Sequence, residues 1–280
     1  MTIHHSLLEL LFNGLSAATQ TRFTEAVDRI VAAKQRGGKV VVITGSGPNL
    51  HEGVTTLIAE LMRAGLVDGV TTSAAVIAHE MGGTLDQVKR CQGEGLGLPV
   101  SILPRGGDFE LTLMEDEAIR AIGEHIPIDW TLIEKLKEAP GKTIIKAAGN
   151  LGYPMGLWLE HFAQEILTLA KKHGRSFEEV AGLGADERTM LGTGARRGLP
   201  VLVTIPQLIG GGAMGLCIGD SLTLTERSRR LGRLLDSADV IIESGVALTQ
   251  EIHDGPFETY TGHGLWSAWQ NSSRRSIELP

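Results

Sequence analysis

Between His253 and His263 the chain gathers His253, Asp254, Glu258, Tyr260 and His263 within eleven positions. Histidine changes charge near neutral pH, and a carboxylate beside it can orient its ring. The set therefore suits general acid and base work or a metal ion. Gly255, Pro256, Gly262 and Gly264 keep the stretch out of helix. Trp266 and Trp269 just beyond it indicate a segment that packs down, with a polar surface loop as the alternative. His253 and His263 are the expected acid/base groups, with Asp254 or Glu258 orienting one of them. Two further pairs, His51-Glu52 and His79-Glu80, can each supply a base, although neither has HExxH spacing; surface histidines are the alternative. Lys146 lies among Ile144, Ile145, Ala147 and Ala148. An apolar setting suits a lysine for Schiff-base or proton work, unless its ammonium reaches water. No residue is assigned as a metal ligand, since Cys91 and Cys217 lie far apart with no CxxC.

A second group of residues suits the binding of a phosphate or a ribose. Gly45-Ser46-Gly47 stands between a strand pattern and a helix pattern, where glycines let backbone N–H groups approach an anion. The loop is no dinucleotide fingerprint, because Leu50 stands three residues after Gly47. It is neither a P-loop nor a nucleophile elbow. Thr72-Ser73 ends the next strand. Glu243-Ser244-Gly245 ends the last one, which makes Glu243 a ribose-binding candidate. Asp220 follows the glycine-rich run Gly210 to Gly215 and serves either a ribose hydroxyl or the start of the next helix.

The elements that must position these groups follow from periodicity. Lys39 to Thr44, Val67 to Thr72, Pro200 to Pro206 and Ala238 to Glu243 are apolar, β-branched runs, and a glycine or serine loop follows each. Val54, Leu57, Ile58, Leu61 and Met62 repeat at helical spacing, and Gly65 marks the stop. Helices are also expected over Ile3–Leu15, over Thr21–Arg36 with Phe23, Val27, Ile30 and Val31 on one face, and over Trp130–Lys137 with Asp129 as N-cap. Three more are expected: Met155–His173 with Leu159, Phe162, Ile166 and Leu169 inward, Phe177–Met190, and Ser221–Leu235 with its arginines outside. Gln92 to Gly107 reads as an irregular excursion or lid, Asp108 to Ile122 as partly helical, and Lys142 to Ala147 as a strand or a helix lead-in. Strands alternating with helices give an α/β protein: a Rossmann-like, doubly wound, mainly parallel sheet with helices on both faces. No linker divides the chain, so residues 1–280 read as one α/β domain. Residues 1–36 form N-terminal helices, 37–250 the sheet core and 251–280 an active-site tail.

Bulk properties narrow the function. The chain has 280 residues, is 42% hydrophobic and carries a net charge of −7, so no basic surface for nucleic acid stands out. No apolar run is long enough to cross a membrane, and no signal peptide is apparent. Two isolated cysteines fit a reducing, cytoplasmic setting.

The segments Gly47-Pro48-Asn49-Leu50-His51-Glu52-Gly53, Leu61 to Val67 and Thr72-Ser73-Ala74-Ala75-Val76-Ile77-Ala78-His79-Glu80 resemble deoxyhypusine synthase-like proteins, and the Ala238 to Val246 strand and loop fit the same scheme. The resemblance covers about half the chain. It implies a Rossmann-like fold, NAD bound at the strand ends, and a homotetramer or homodimer; the mean hydropathy of +0.06 also favours an oligomer. The chain departs from the family in two places. Nothing in its tail matches the active-site Gly-Lys motif, and Ile77 and Ala78 replace two adjacent glutamates. The expected activity is therefore that of a divergent enzyme, with an NAD-type cofactor and a small polar or amine substrate. A hydrolase or lyase on the same fold, with or without metal, and a non-catalytic nucleotide-binding oligomer are the alternatives.

Overall fold

The computed structural model describes residues 5–44, 53–81, 85–99, 101, 107–124, 127–147, 156–203 and 212–244. In chain order the elements are α1 (His5–Asn13), α2 (Ala17–Gln35), β1 (Lys39–Thr44), α3 (Thr55–Arg63), β2 (Gly69–Thr72), α4 (Ala74–Met81) and β3 (Leu85–Gln92). A single 3₁₀ turn at Glu94–Leu96 leads to β4 (Asp108–Thr112), α5 (Asp116–Gly123), α6 (Trp130–Glu138) and β5 (Gly141–Ala147). There follow α7 (Gly156–His173), α8 (Phe177–Gly184), α9 (Met190–Arg197), β6 (Val201–Val203), α10 (Gly212–Ser221), α11 (Leu224–Asp236) and β7 (Ala238–Ser244).

The four apolar runs form one parallel sheet in the order β6-β2-β1-β7. Counted among themselves, these strands lie third, second, first, fourth, the order with which a doubly wound sheet begins. Strand β1 is central, and its side chains alternate between two cores. Val40 and Val42 face a large core that takes in Ile58 and Met62 of α3, Ile77 of α4, Ile166 of α7, Phe177 of α8, Leu191 of α9 and Ile218 of α10. Val41 and Ile43 face Leu231, Leu234 and Leu235 of α11 on the other side. Burial on both faces explains why β1 reads as a continuous β-branched run.

The entrance to β1 is fixed by carboxylates. Asp68 accepts a hydrogen bond from the Val40 amide at 2.8 Å and Asp239 one from the Lys39 amide at 3.0 Å. Lys34 and Arg36, at the end of α2, pair with these acids at 2.8 and 3.1 Å. Gly38 lets the chain pass between them, since a Cβ there would stand 2.7 Å from the Asp239 carboxyl carbon and 2.8 Å from the Ala33 carbonyl.

Several sequence expectations are corrected. Residues 85–147 hold a three-stranded antiparallel sheet, β4-β3-β5, with a small core of Cys91, Leu96 and Leu136. The irregular stretch that was expected is thus in part strand β3 and the Glu94–Leu96 turn, and Asp108–Thr112 is strand. Ile166 of α7 is buried as expected, but Phe162 and Leu169 are exposed and Ala163, Leu167 and Ala170 turn inward in their place; the Leu159 side chain lies outside the described residues. Phe23, Val27 and Val31 of α2 are also exposed, although the Phe23 ring meets Phe12 of α1 at 5.7 Å. The helix beginning at Phe177 stops at Gly184, and a second one starts at Met190. Gly212 to Gly215 form the first turn of α10. Strand β7 is a half-exposed edge of the sheet. Asp129 caps α6, as its sequence predicts, by accepting from the Leu132 amide. Among the described residues, no helix is long and apolar enough to cross a membrane.

One arginine of α11 is not outside. Arg227 is 3% exposed. It donates to Glu178 of α8 at 2.6 Å, to the Val203 carbonyl at 3.1 Å and to the Ile218 carbonyl at 2.7 Å. The same Glu178 oxygen accepts from the Val203 amide at 2.9 Å. One ion pair thus closes the end of β6 and joins α8, α10 and α11. Removing a single partner strands the other charge in the core. Arg227→Met is expected to cost about 3–5 kcal/mol, and Glu178→Gln/Arg227→Met to recover part of that loss; urea unfolding of the three proteins checks it.

Candidate functional site

Parallel pairing brings the predicted strand ends to one edge. Thr44 pairs with Ser244 and Thr72 with Val203, and the pairing of Ile43 with Thr71 sets both pairs in one row. Side chains in that row point to the face of the large core. Thr44 and Thr72 are buried there, at 2% and 0% exposure. The hydroxyls of Thr72 and Ser73 are buried with no hydrogen-bond partner among the described residues. Ser73 directly precedes α4, whose first amides face the same edge. One residue back and on the opposite face, Ile43 has Thr71 on one side and Glu243 on the other; Glu243 and Ser244 are exposed. Thr72, Ser73, Glu243 and Ser244 therefore lie along one edge of the sheet, with β1 between the β2 and β7 residues and Glu243 on the opposite face from Thr72. Gly45, Ser46, Gly47 and Gly245 lie outside the described residues, as do His51, His253, Asp254, Glu258 and His263.

Two predicted residues stand elsewhere. Asp220 is an exposed residue near the end of α10, and it does not cap the next helix, because Thr223 does so through the Glu226 amide. Lys146 is on β5 of the antiparallel sheet, paired in register with Asp86, and so belongs to a different sheet from the strand-end row. His79 is half-buried on α4. Among the described residues, no three His, Cys, Asp or Glu side chains stand together as a metal site.

The largest surprise is the other member of the His79-Glu80 pair. Glu80 is 1% exposed. One of its carboxyl oxygens takes a short hydrogen bond from the Thr55 hydroxyl, at the first residue of α3. The other accepts from the Leu191 amide at 2.9 Å. Thr55 in turn accepts from the Met190 amide at 2.9 Å, and Thr189 accepts from the Gly192 amide at 3.1 Å. Met190, Leu191 and Gly192 carry the first three N–H groups of α9, which no helical carbonyl can satisfy. Three side chains from three elements satisfy them instead. Burial raises the Glu80 pKa, while Thr55, the Leu191 amide and Thr189 act to lower it; the balance is a value of about 7. Sequence periodicity carried a signal for this residue: Glu80 stands three and four residues after Ile77 and Val76, on the buried stripe of α4.

No family model matches the chain, and no curated protein matches it. Among solved structures, the chain is similar to apo ArgZ, an arginine dihydrolase from the ornithine-ammonia cycle in Cyanobacteria, with 13% identity and a TM-score of 0.43. The alignment covers 85% of this chain and 25% of that one, so this chain spans a quarter of that protein's length. The resemblance to deoxyhypusine synthase-like proteins rests on the residues quoted above, and these comparisons do not extend it.

Glu80 ties stability to pH. Between the ordinary glutamate value of 4.5 and about 7, the unfolded chain has released this proton while the folded chain keeps it. Stability therefore falls as pH rises through that window. The contribution is whole below the unfolded pKa and lost above about pH 7, a difference of roughly 3 kcal/mol. Glu80→Gln, whose amide can donate to Thr55 and accept from Leu191, is expected to lose this slope. Urea midpoints of both proteins at about pH 5 and about pH 8 measure it.

Proposed function

We propose that the chain is an enzyme that binds an NAD-type dinucleotide across the C-terminal edge of its parallel sheet and acts on a small polar or amine substrate. The observation that carries this reading is the row Thr44, Thr72 and Ser244 on a sheet of doubly wound strand order, with two buried hydroxyls, those of Thr72 and Ser73, that have no partner among the described residues. In sheets of this order, ligands settle where successive connections leave a strand in opposite directions, and here that point lies between β1 and β7. Buried hydroxyls without partners are costly, and an anionic group or a ribose would satisfy them. Gly45-Ser46-Gly47 directly follows Thr44 in the chain, and Glu243 stands at the same edge to meet a ribose hydroxyl. His253 and His263 are the proposed acid/base groups, with Asp254 or Glu258 as orienting partner; their support is the composition of the tail, which follows β7 in the chain. The homodimer or homotetramer implied by the family resemblance belongs to the same reading, and light scattering against the 29.9 kDa chain mass decides it.

The cofactor assignment is tested by calorimetric titration with NAD⁺. Thr72→Val keeps the side-chain volume and removes one hydroxyl, so it is expected to weaken binding about 3- to 10-fold, the worth of one hydrogen bond, with little change in melting temperature. Wild-type protein that binds no NAD⁺ at millimolar concentration, or a Thr72→Val variant that binds as tightly as wild type, rejects the assignment.

A further inference from the structure

Glu80 is buried, titratable and without a part in the proposed binding site, yet it belongs to the helix that opens at the strand-end edge and takes a bond from the first residue of α3. Helix α4 starts directly after Ser73 and is eight residues long, and Glu80 is its seventh. At 1.5 Å per residue the carboxyl-bearing residue lies about 9 Å along the axis from the helix start. So short a helix moves as a rod: a shift of Glu80 is a shift of the Thr72–Ser73 corner. The bond from Thr55 fastens the first residue of α3 to the same carboxyl group. Thr55 also accepts from Met190, so the α3 start is held against α9 as well as against α4.

We propose that the Glu80–Thr55 bond is a positioning latch for the strand-end site. It sets the start of α3 against the far end of α4, the helix that opens at that site, and its protonation state sets how tightly an anionic ligand is held at the site. The proposal rests on the reading of that edge as a dinucleotide site. With its proton, the carboxyl is a neutral group that still accepts from the Leu191 amide. Without it, a negative charge sits in the core beside the Thr55 hydroxyl and the Leu191 amide, and the charge also repels an anion at the edge. Both effects favour the ligand when Glu80 is protonated. By reciprocity, the ligand then favours the proton.

The neighbouring charged groups are otherwise engaged. On α8, Glu178 is held by Arg227, and Glu179 closes the cap of Ser176. On α9, Arg196 donates to the carbonyls of Ala185 and Gly192. In the turn before α9, Asp186 pairs with Arg188. On α10, Asp220 is exposed and Cys217 takes a bond from Gln164. On α3, Glu60 pairs with Arg63. His79 adjoins Glu80 on α4 itself, and Glu80→Gln leaves it in place, which separates the two protons.

The test combines two measurements on the full chain. The first is NAD⁺ titration of wild type, Glu80→Gln and Thr55→Val at about pH 6 and about pH 8. Wild-type affinity is expected to fall roughly tenfold across that range. Glu80→Gln should stay near the acid-side affinity at both pH values, and Thr55→Val should bind weakly at both. A Glu80→Gln profile that tracks wild type overturns the proposal. The second measurement is amide hydrogen exchange, corrected for intrinsic rates, at Met190, Leu191 and residues 56–58. These amides should lose protection between about pH 6 and about pH 8 in wild type and keep it in Glu80→Gln. If wild type binds no NAD⁺ at any pH, the cofactor reading fails, and exchange alone decides the latch: unchanged protection in wild type overturns it.

Discussion

A helix that begins inside a core presents three or four N–H groups that water cannot reach, and something must accept from them. The start of α9 poses this problem at the centre of the molecule, and the answer draws on α3, α4 and the turn before α9 itself. The partial positive charge of the helix start suits a carboxyl group, but complete burial opposes its ionisation, and the group settles between the two demands. Much of the architecture on that face follows. Helices α3 and α4 cannot shift independently, because each supplies an acceptor to the same turn. Gly192 is confined to glycine by the same crowding, since a Cβ there would collide with the Asp186 carbonyl.

The sheet brings the remaining parts together. With β1 at its centre and buried on both faces, register is set strongly: a slip of one residue would exchange Val40 and Val42 for Val41 and Ile43. That register is what aligns Thr44, Thr72 and Ser244 in one row. At the end of β6, Glu178 and Arg227 perform for the sheet what Glu80 performs for α9. They satisfy backbone groups of Val203 and Ile218 and tie the strand to helices on both faces.

The parallel sheet was legible because β1, β2 and β6 are buried on both faces and all four strands carry β-branched runs, each followed by glycine or serine in the sequence. The antiparallel sheet was not, because β3, with Asp86, Gln87, Lys89 and Arg90, mixes charged residues with Val88 and Cys91 and gives no clean alternation. Arg227 was read as a surface arginine because its neighbours Arg229, Arg230 and Arg233 are indeed on the outer side. Its spacing said otherwise, since 227, 231, 234 and 235 fall on one helical stripe and the other three positions are leucines buried against the sheet. In α7 the error ran the other way. Large residues were assigned inward, but close packing of helices favoured the stripe with Ala163 and Ala170, leaving Phe162 outside. Of the site, the strand-end residues were readable from their place after each strand. Glu80 was visible as half of a pair but not as a core residue, because its partners Thr55 and Leu191 are 25 and 111 positions away in sequence.

The two ends of the sheet are held by electrostatics of different kinds. At the entrance to β1, Asp68 and Asp239 are clasped by Lys34 and Arg36, whose side chains remain 23% and 57% exposed. At the opposite end, Arg227 and Glu178 are shut away at 4% and 0%. Dissolved ions screen the first kind and scarcely reach the second. Rising ionic strength therefore acts on the sheet asymmetrically, loosening the grip of α2 at the entrance while leaving the end of β6, beside the strand-end row, in place.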